Sequence, residues 1–201
     1  MNIYKLIAFI AVLLLVQPLS AQHEAHQKNL KSEYAGQEQR TIKSLSAGDI
    51  EELKAGKGWG FAKVAELNGV PGPLHLLEMK EEIGLTEDQI TKVEAINKAM
   101  KAEAVVLGNQ LIEAEENLNI SFADNSIDEK ELRKSLLYIG KITSELRFVH
   151  LEAHLKTLKI LNEKQVEEYN QIRGYNFGNP CENIPEGHDA EMWKKHNNCT
   201  N

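Results

Sequence analysis

From Val93 to Phe122 apolar residues recur every three or four positions, through Ile96, Met100, Ala104, Leu107, Leu111, Ala114 and Leu118. That spacing draws one apolar stripe down a helix that starts near Thr86. A second stripe passes through Leu132, Leu136, Ile139, Ile142, Leu146, Val149, Ala153 and Ile160. The turn residues Ala123-Asp124-Asn125 lie between the two, so the pattern predicts a long antiparallel helical hairpin. Near the end of the second helix, Phe148, Leu151, Leu155 and Leu158 fall on the opposite face. That end needs cover from two sides, either by the short helix from Glu163 to Ile172 or by a second subunit. Gly56-Lys57-Gly58-Trp59-Gly60 and Asn68-Gly69-Val70-Pro71-Gly72-Pro73 break the chain ahead of the hairpin. No long alternating β-branched stretch occurs. The expected fold is all-α, with shorter helices flanking the hairpin.

One phrase recurs. Leu85-Thr86-Glu87-Asp88-Gln89-Ile90 and Leu161-Asn162-Glu163-Lys164-Gln165-Val166 share their layout. Thr86 or Asn162 suits an N-cap, because its side-chain oxygen accepts from a free amide of the first turn. Gln89 or Gln165, three residues on, reaches back to complete a capping box. Leu85 and Leu161 supply a hydrophobic staple to Ile90 and Val166. Leu45-Ser46-Ala47-Gly48-Asp49-Ile50 is a weaker third copy. On this reading Thr86→Ala costs more than Gln89→Ala, which serves one reciprocal bond.

The ends of the 201-residue chain look different from its middle. Lys5 precedes the apolar run Leu6 to Val16, followed by Gln17-Pro18-Leu19-Ser20-Ala21. That is the layout of a secretory signal peptide, with cleavage expected after Ala21. The run is shorter than the roughly 20 residues of a membrane span. An exported, periplasmic protein is expected, with no membrane span after signal removal. Residues 22–60 read as an arm containing a short helix, 61–175 as the helical domain, and 176–201 as an irregular tail. The net charge of −7 argues against nucleic acid as a partner. Neither a G-x-S-x-G nor a phosphate-binding glycine loop occurs, and the reading is non-enzymatic.

The paired phrases Leu85–Gln89 and Leu161–Gln165, behind a signal peptide and bracketing two long helices, resemble the LTxxQ-motif family of periplasmic proteins (the Spy, CpxP and ZraP type). The resemblance covers roughly residues 71–175. It implies a thin helical cradle, a homodimer, a role in the stress response of the envelope, and ATP-independent chaperone-like binding of non-native proteins. Other implied partners are a sensor protein or, in some branches, zinc and other heavy metals. The chain departs from the family pattern at Asn162, in the arm before Gly60, in its cysteine-bearing tail and in its acidic balance.

Two groups carry candidate chemistry. His150 and His154 are four residues apart and share a helix face. The hairpin register sets His150 opposite Met100 and Glu103, and His154 opposite Ile96 and Asn97. A further turn near Gly84 brings His75 and Glu78 towards that level. His75, Glu78, Glu103, His150 and His154 are therefore a candidate set for Zn²⁺ or another divalent ion. The other reading is histidines of the core or an interface, hydrogen-bonded to carboxylates. In the tail, Cys181 and Cys199 frame His188 and His196. A disulfide is the simple reading in an oxidising compartment, and a Cys₂His₂ metal site the alternative. Phe148, Leu151, Leu155 and Leu158 are the candidate client or dimer surface.

Overall fold

In a computed structural model, which describes residues 31–175, 180–181, 184 and 187–199, two long helices carry the architecture. Four short α-helices come first: α1 (Ala47–Lys54), α2 (Lys63–Glu66), α3 (Pro73–Glu78) and α4 (Lys80–Ile83). The hairpin is α5 (Glu87–Ala123) and α6 (Glu129–Leu158), followed by α7 (Glu163–Ile172) and α8 (Ala190–His196). These helices all belong to one compact unit that begins at Gly36. Among the described residues there is no strand, so the chain is all-α as the hydrophobic spacing predicts. At 1.5 Å per residue α5 is about 55 Å long. No described helix is long and apolar enough to cross a membrane. The predicted signal peptide lies outside the described residues.

The hairpin is held by the two predicted stripes, but three walls close its core. Ala104, Leu111 and Ala114 of α5 face Ile142, Leu146 and Val149 of α6. The third wall is Ile42, Leu45 and Leu53, from the stretch that reads in sequence as part of an arm. That stretch is integral to the fold. Asn119 clamps its start: its side-chain oxygen accepts from Lys43 N–H at 3.3 Å and its amide donates to the Thr41 carbonyl at 3.2 Å. Gly108 lets α1 meet α5 backbone to backbone, since a Cβ there would lie 2.5 Å from the Leu53 carbonyl oxygen. The third wall ends near Asn119, and beyond it the stripe residues Phe122 and Leu136 are exposed.

A second core lies at the other end of the hairpin. Leu76, Ile83, Val93 and Tyr169 are buried there, with Leu85, Ile160 and Leu161 packed around them. Here α7 folds back beside α4, and Leu158 of the second apolar face of α6 shares a groove with it. Phe148 and Leu155 remain 58% and 56% exposed, while Leu151 and Leu158 are half-buried.

The tail is more regular than its composition suggests. Asp189 caps α8 by accepting from Met192 N–H at 2.8 Å. Cys181 and Cys199 are joined in a disulfide, which removes both thiolates from any metal site. The Trp193 indole donates to the Pro180 carbonyl at 2.7 Å and meets His188 edge-on. The bonds of Trp193 thus close the tail on itself, and Met192 stays exposed.

Candidate functional site

The duplicated phrase does more than start helices. Thr86 Oγ1 accepts from Gln89 N–H at 3.2 Å, and Thr86 N–H donates to Gln89 Oε1 at 3.0 Å. Asn162 and Gln165 repeat the arrangement at 2.9 and 3.1 Å. The two glutamines then meet. Gln89 Nε2 donates to Gln165 Oε1 at 2.9 Å and Gln165 Nε2 donates back to Gln89 Oε1 at 3.0 Å. Their remaining donors go to the carbonyls of Ile160 at 2.9 Å and Gly84 at 3.3 Å. Each amide uses both donors and accepts twice, its full inventory. Leu85 and Leu161 flank this clasp in the second core. The Gln residues therefore complete the capping boxes that the sequence predicts and are in addition tertiary fasteners that tie α5 to α7. Ser46 and Asp49 form a third capping box without such a partner. Asp49 Oδ1 instead accepts from the Trp59 indole at 2.8 Å and holds the glycine loop against α1.

That loop roofs a cavity of about 770 Å³. Its walls come from the 55–60 loop, α2, α3, α5 and α6. The loop turns through positive φ at Gly56 (63°), Trp59 (41°) and Gly60 (73°). Three of the candidate metal ligands, His75, His150 and His154, line this one space. The other two do not: Glu103 lines a separate groove with Glu152 and Lys156, and Glu78 is spent on His75 Nδ1 at 2.7 Å. Among the described residues no group of three or more His, Cys, Asp or Glu stands close enough to hold a metal ion. The five-residue metal set is thus not assembled. His150 and His154 line the cavity together with Met100 and Asn97, whereas Ile96 and Glu103 line the separate groove.

The two hairpin histidines differ in partners. His154 Nδ1 donates to the Val70 carbonyl at 2.7 Å, and its ring packs on Gly72, where a Cβ would come within 2.7 Å of Cε1 and Nε2. His150 is 3% exposed and stacks on Phe61 with ring centroids 6.2 Å apart. Its Nε2 is buried without a hydrogen-bond partner. Burial, and then the neighbouring His154, hold His150 below the ordinary histidine range. A buried polar atom left unpaired costs roughly 1–3 kcal/mol.

Glu66, on α2, closes the far side. Its Oε1 accepts from Tyr169 Oη at 2.7 Å, Tyr175 Oη at 2.8 Å and Arg173 Nε at 3.0 Å. Burial alone would raise its carboxyl, but the two phenols and the Arg173 charge outweigh that and hold it below the usual range. Burial first, and then Glu66, push the Tyr169 phenol far up. This node ties α2 to the end of α7. Glu66, Trp59 and Tyr175 escaped the sequence reading. Gly72 between two prolines was the one visible signal of a close approach. Compared with protein-family models, curated proteins and solved structures, the chain finds no match.

Proposed function

We propose that this is a non-enzymatic, exported protein of the periplasm that binds non-native polypeptides without nucleotide, as the resemblance to the LTxxQ-motif family implies. The observation that supports it best is the uncovered stripe on α6. Phe148 and Leu155 stand more than half exposed in line with Leu151 and Leu158, on a helix whose other face is core. An aligned apolar patch of this kind marks an interaction site, and a homodimer would use the same surface. The heavy-metal alternative has less support, since the described residues gather no three ligands at one point.

The test compares the parent with a Phe148→Ser, Leu155→Ser double variant. Both side chains are exposed, so stability should change little. The parent is expected to suppress light scattering by an aggregating client at equimolar ratio, and the variant to lose most of that effect. Native mass spectrometry reports whether the variant also loses a dimer. A parent that is monomeric at micromolar concentration and leaves client aggregation unchanged would end this reading. Mass analysis of protein recovered from the periplasm checks export and removal of residues 1–21.

A further inference from the structure

Two lone pairs in the cavity are left without a donor. The first is on Glu66. Its three bonds, from Tyr169, Tyr175 and Arg173, all arrive at Oε1, and Oε2 accepts none. The second is on His154. Its Nδ1 faces the Val70 carbonyl at 2.7 Å. A carbonyl only accepts, so Nδ1 carries the proton and Nε2 of the neutral ring presents a lone pair. Both residues line the cavity, and both are largely buried, with the Glu66 side chain 14% and His154 6% exposed. Neither atom is sealed off. Among the described residues the unpartnered side-chain atoms shut away from solvent are His150 Nε2 and Asn170 Oδ1, so Glu66 Oε2 and His154 Nε2 keep accessible surface. The two groups are also neighbours, since a charge on the His154 ring lowers the Glu66 carboxyl. The space, about 770 Å³, falls inside the range of roughly 300–1,000 Å³ usual for small-molecule sites.

We infer that this cavity binds a neutral molecule with paired hydroxyl groups at one end of an apolar body, one hydroxyl donating to Glu66 Oε2 and the other to His154 Nε2. A carboxylate oxygen and an imidazole lone pair accept and do not donate. They therefore select an O–H and reject the matching ether, which leaves them desolvated and unpaired. The ligand needs no charge, because the Arg173 guanidinium, 3.0 Å from Oε1, already balances the carboxylate. A cation buried beside that pair would lose its hydration for little return. The apolar body lies against Trp59, Leu74 and Met100 of the same lining. His75 adds no competing acceptor at Nδ1, which Glu78 holds at 2.7 Å. The inference stands apart from polypeptide binding on α6, because Phe148 and Leu155 are not part of the cavity lining.

Calorimetric titration of the purified protein at neutral pH tests it, with 2,3-dihydroxynaphthalene and its monomethyl and dimethyl ethers as probes. The three share one flat body and differ in the number of hydroxyl donors. The diol is expected to bind once per chain, the monomethyl ether more weakly, and the dimethyl ether about tenfold or more below the diol. Glu66→Gln puts an amide N–H₂ where Oε2 stands, since Oε1 still accepts from its three donors. His154→Phe keeps a ring against Gly72 but has no lone pair. Each should shrink the preference for the diol over the dimethyl ether. Lys57→Gln with Lys101→Gln, on the exposed part of the lining, should leave all three affinities unchanged. Circular dichroism confirms that each variant is folded, and the preference shown by the parent decides the matter where one is not. Equal binding of the diol and the dimethyl ether by the parent would overturn the inference. So would an undiminished preference in either folded variant, or no saturation by the diol below millimolar concentration. Loss of diol binding in the lysine variant alone would also overturn it, by assigning the affinity to ionised ligand at the rim.

Discussion

The two glutamines of the repeated phrase show how much one side chain can be asked to do. Gln89 and Gln165 complete capping boxes as the sequence indicates, yet the bond between them joins residues 76 positions apart and has no local signature. The clasp reverses the order of effects expected from capping alone. Thr86→Ala removes a cap and should cost about 0.5–2 kcal/mol. Gln89→Ala removes up to four bonds and strips the buried Gln165 of a partner, so about 2–4 kcal/mol is expected. Urea denaturation of both, with Gln165→Ala and the double variant, measures it: a coupling of at least about 1 kcal/mol is expected between the glutamines. Additive losses would reduce the clasp to two independent caps. Acid should find two further residues. The folded state holds His150 below its ordinary 6.5 and Glu66 below its ordinary 4.5. In both cases the unfolded chain binds more protons, so stability rises with pH through each window. The share from His150 is present above about 6.5 and lost as pH falls below it towards the lowered folded value. The share from Glu66 is present above about 4.5 and lost as pH falls through its own folded value. Stability curves should therefore flatten between pH 7 and 5 in His150→Phe, and below pH 5 in Glu66→Gln. A slope near pH 6 that survives in His150→Phe would assign it to other groups.

At the scale of elements, periodicity made the hairpin legible and hid what leans on it. The α5 and α6 stripes follow from spacing, because each helix presents one face to its neighbour over many turns. The wall from Ile42 to Leu53 did not stand out, since eight residues of α1 are too few for a clear period and polar residues surround Ile42 and Leu45. What docks α1 is an absence of side chain, at Gly108. Gly140, in the interior of α6, looks the same in sequence but has nothing within 4 Å of the position a Cβ would take. The two should therefore respond with opposite signs to the same substitution. Gly140→Ala gains helix propensity and should stabilise by up to about 1 kcal/mol. Gly108→Ala gains the same propensity but drives a methyl group into the Leu53 carbonyl, and should destabilise by about 1–3 kcal/mol. Thermal unfolding of the pair decides it, and a stabilised Gly108→Ala would mean that α1 rides more loosely on α5 than its packing implies.

Over the whole molecule, two cores share the long helix α5, and the cavity sits where the glycine loop, α2 and α3 meet the hairpin. His150 and His154 were legible because they share one helix face. The roof of the cavity was not, because residues 55–75 carry no period and their placement depends on contacts with α6 and with the end of α7, about a hundred residues away. The tail obeys a different rule. No described residue after Tyr175 belongs to either core, and the bonds of Trp193 stay within the tail. A helix of seven residues does not stand alone in water. The disulfide across 18 positions, with the Trp193 bond to Pro180, ties α8 back to the start of the tail, and chain entropy puts the disulfide's contribution at about 3 kcal/mol. Reduction, or Cys181→Ser with Cys199→Ser, should melt α8 and expose Trp193. The main unfolding transition should stay within about 0.5 kcal/mol of the parent, because no described tail residue joins either core and separate sites act independently. Far-ultraviolet circular dichroism reads the lost turn of helix, and tryptophan fluorescence reads Trp193 against a Trp59→Phe background. A large fall in the main transition on reduction would show that the tail braces the hairpin, through contacts outside either core.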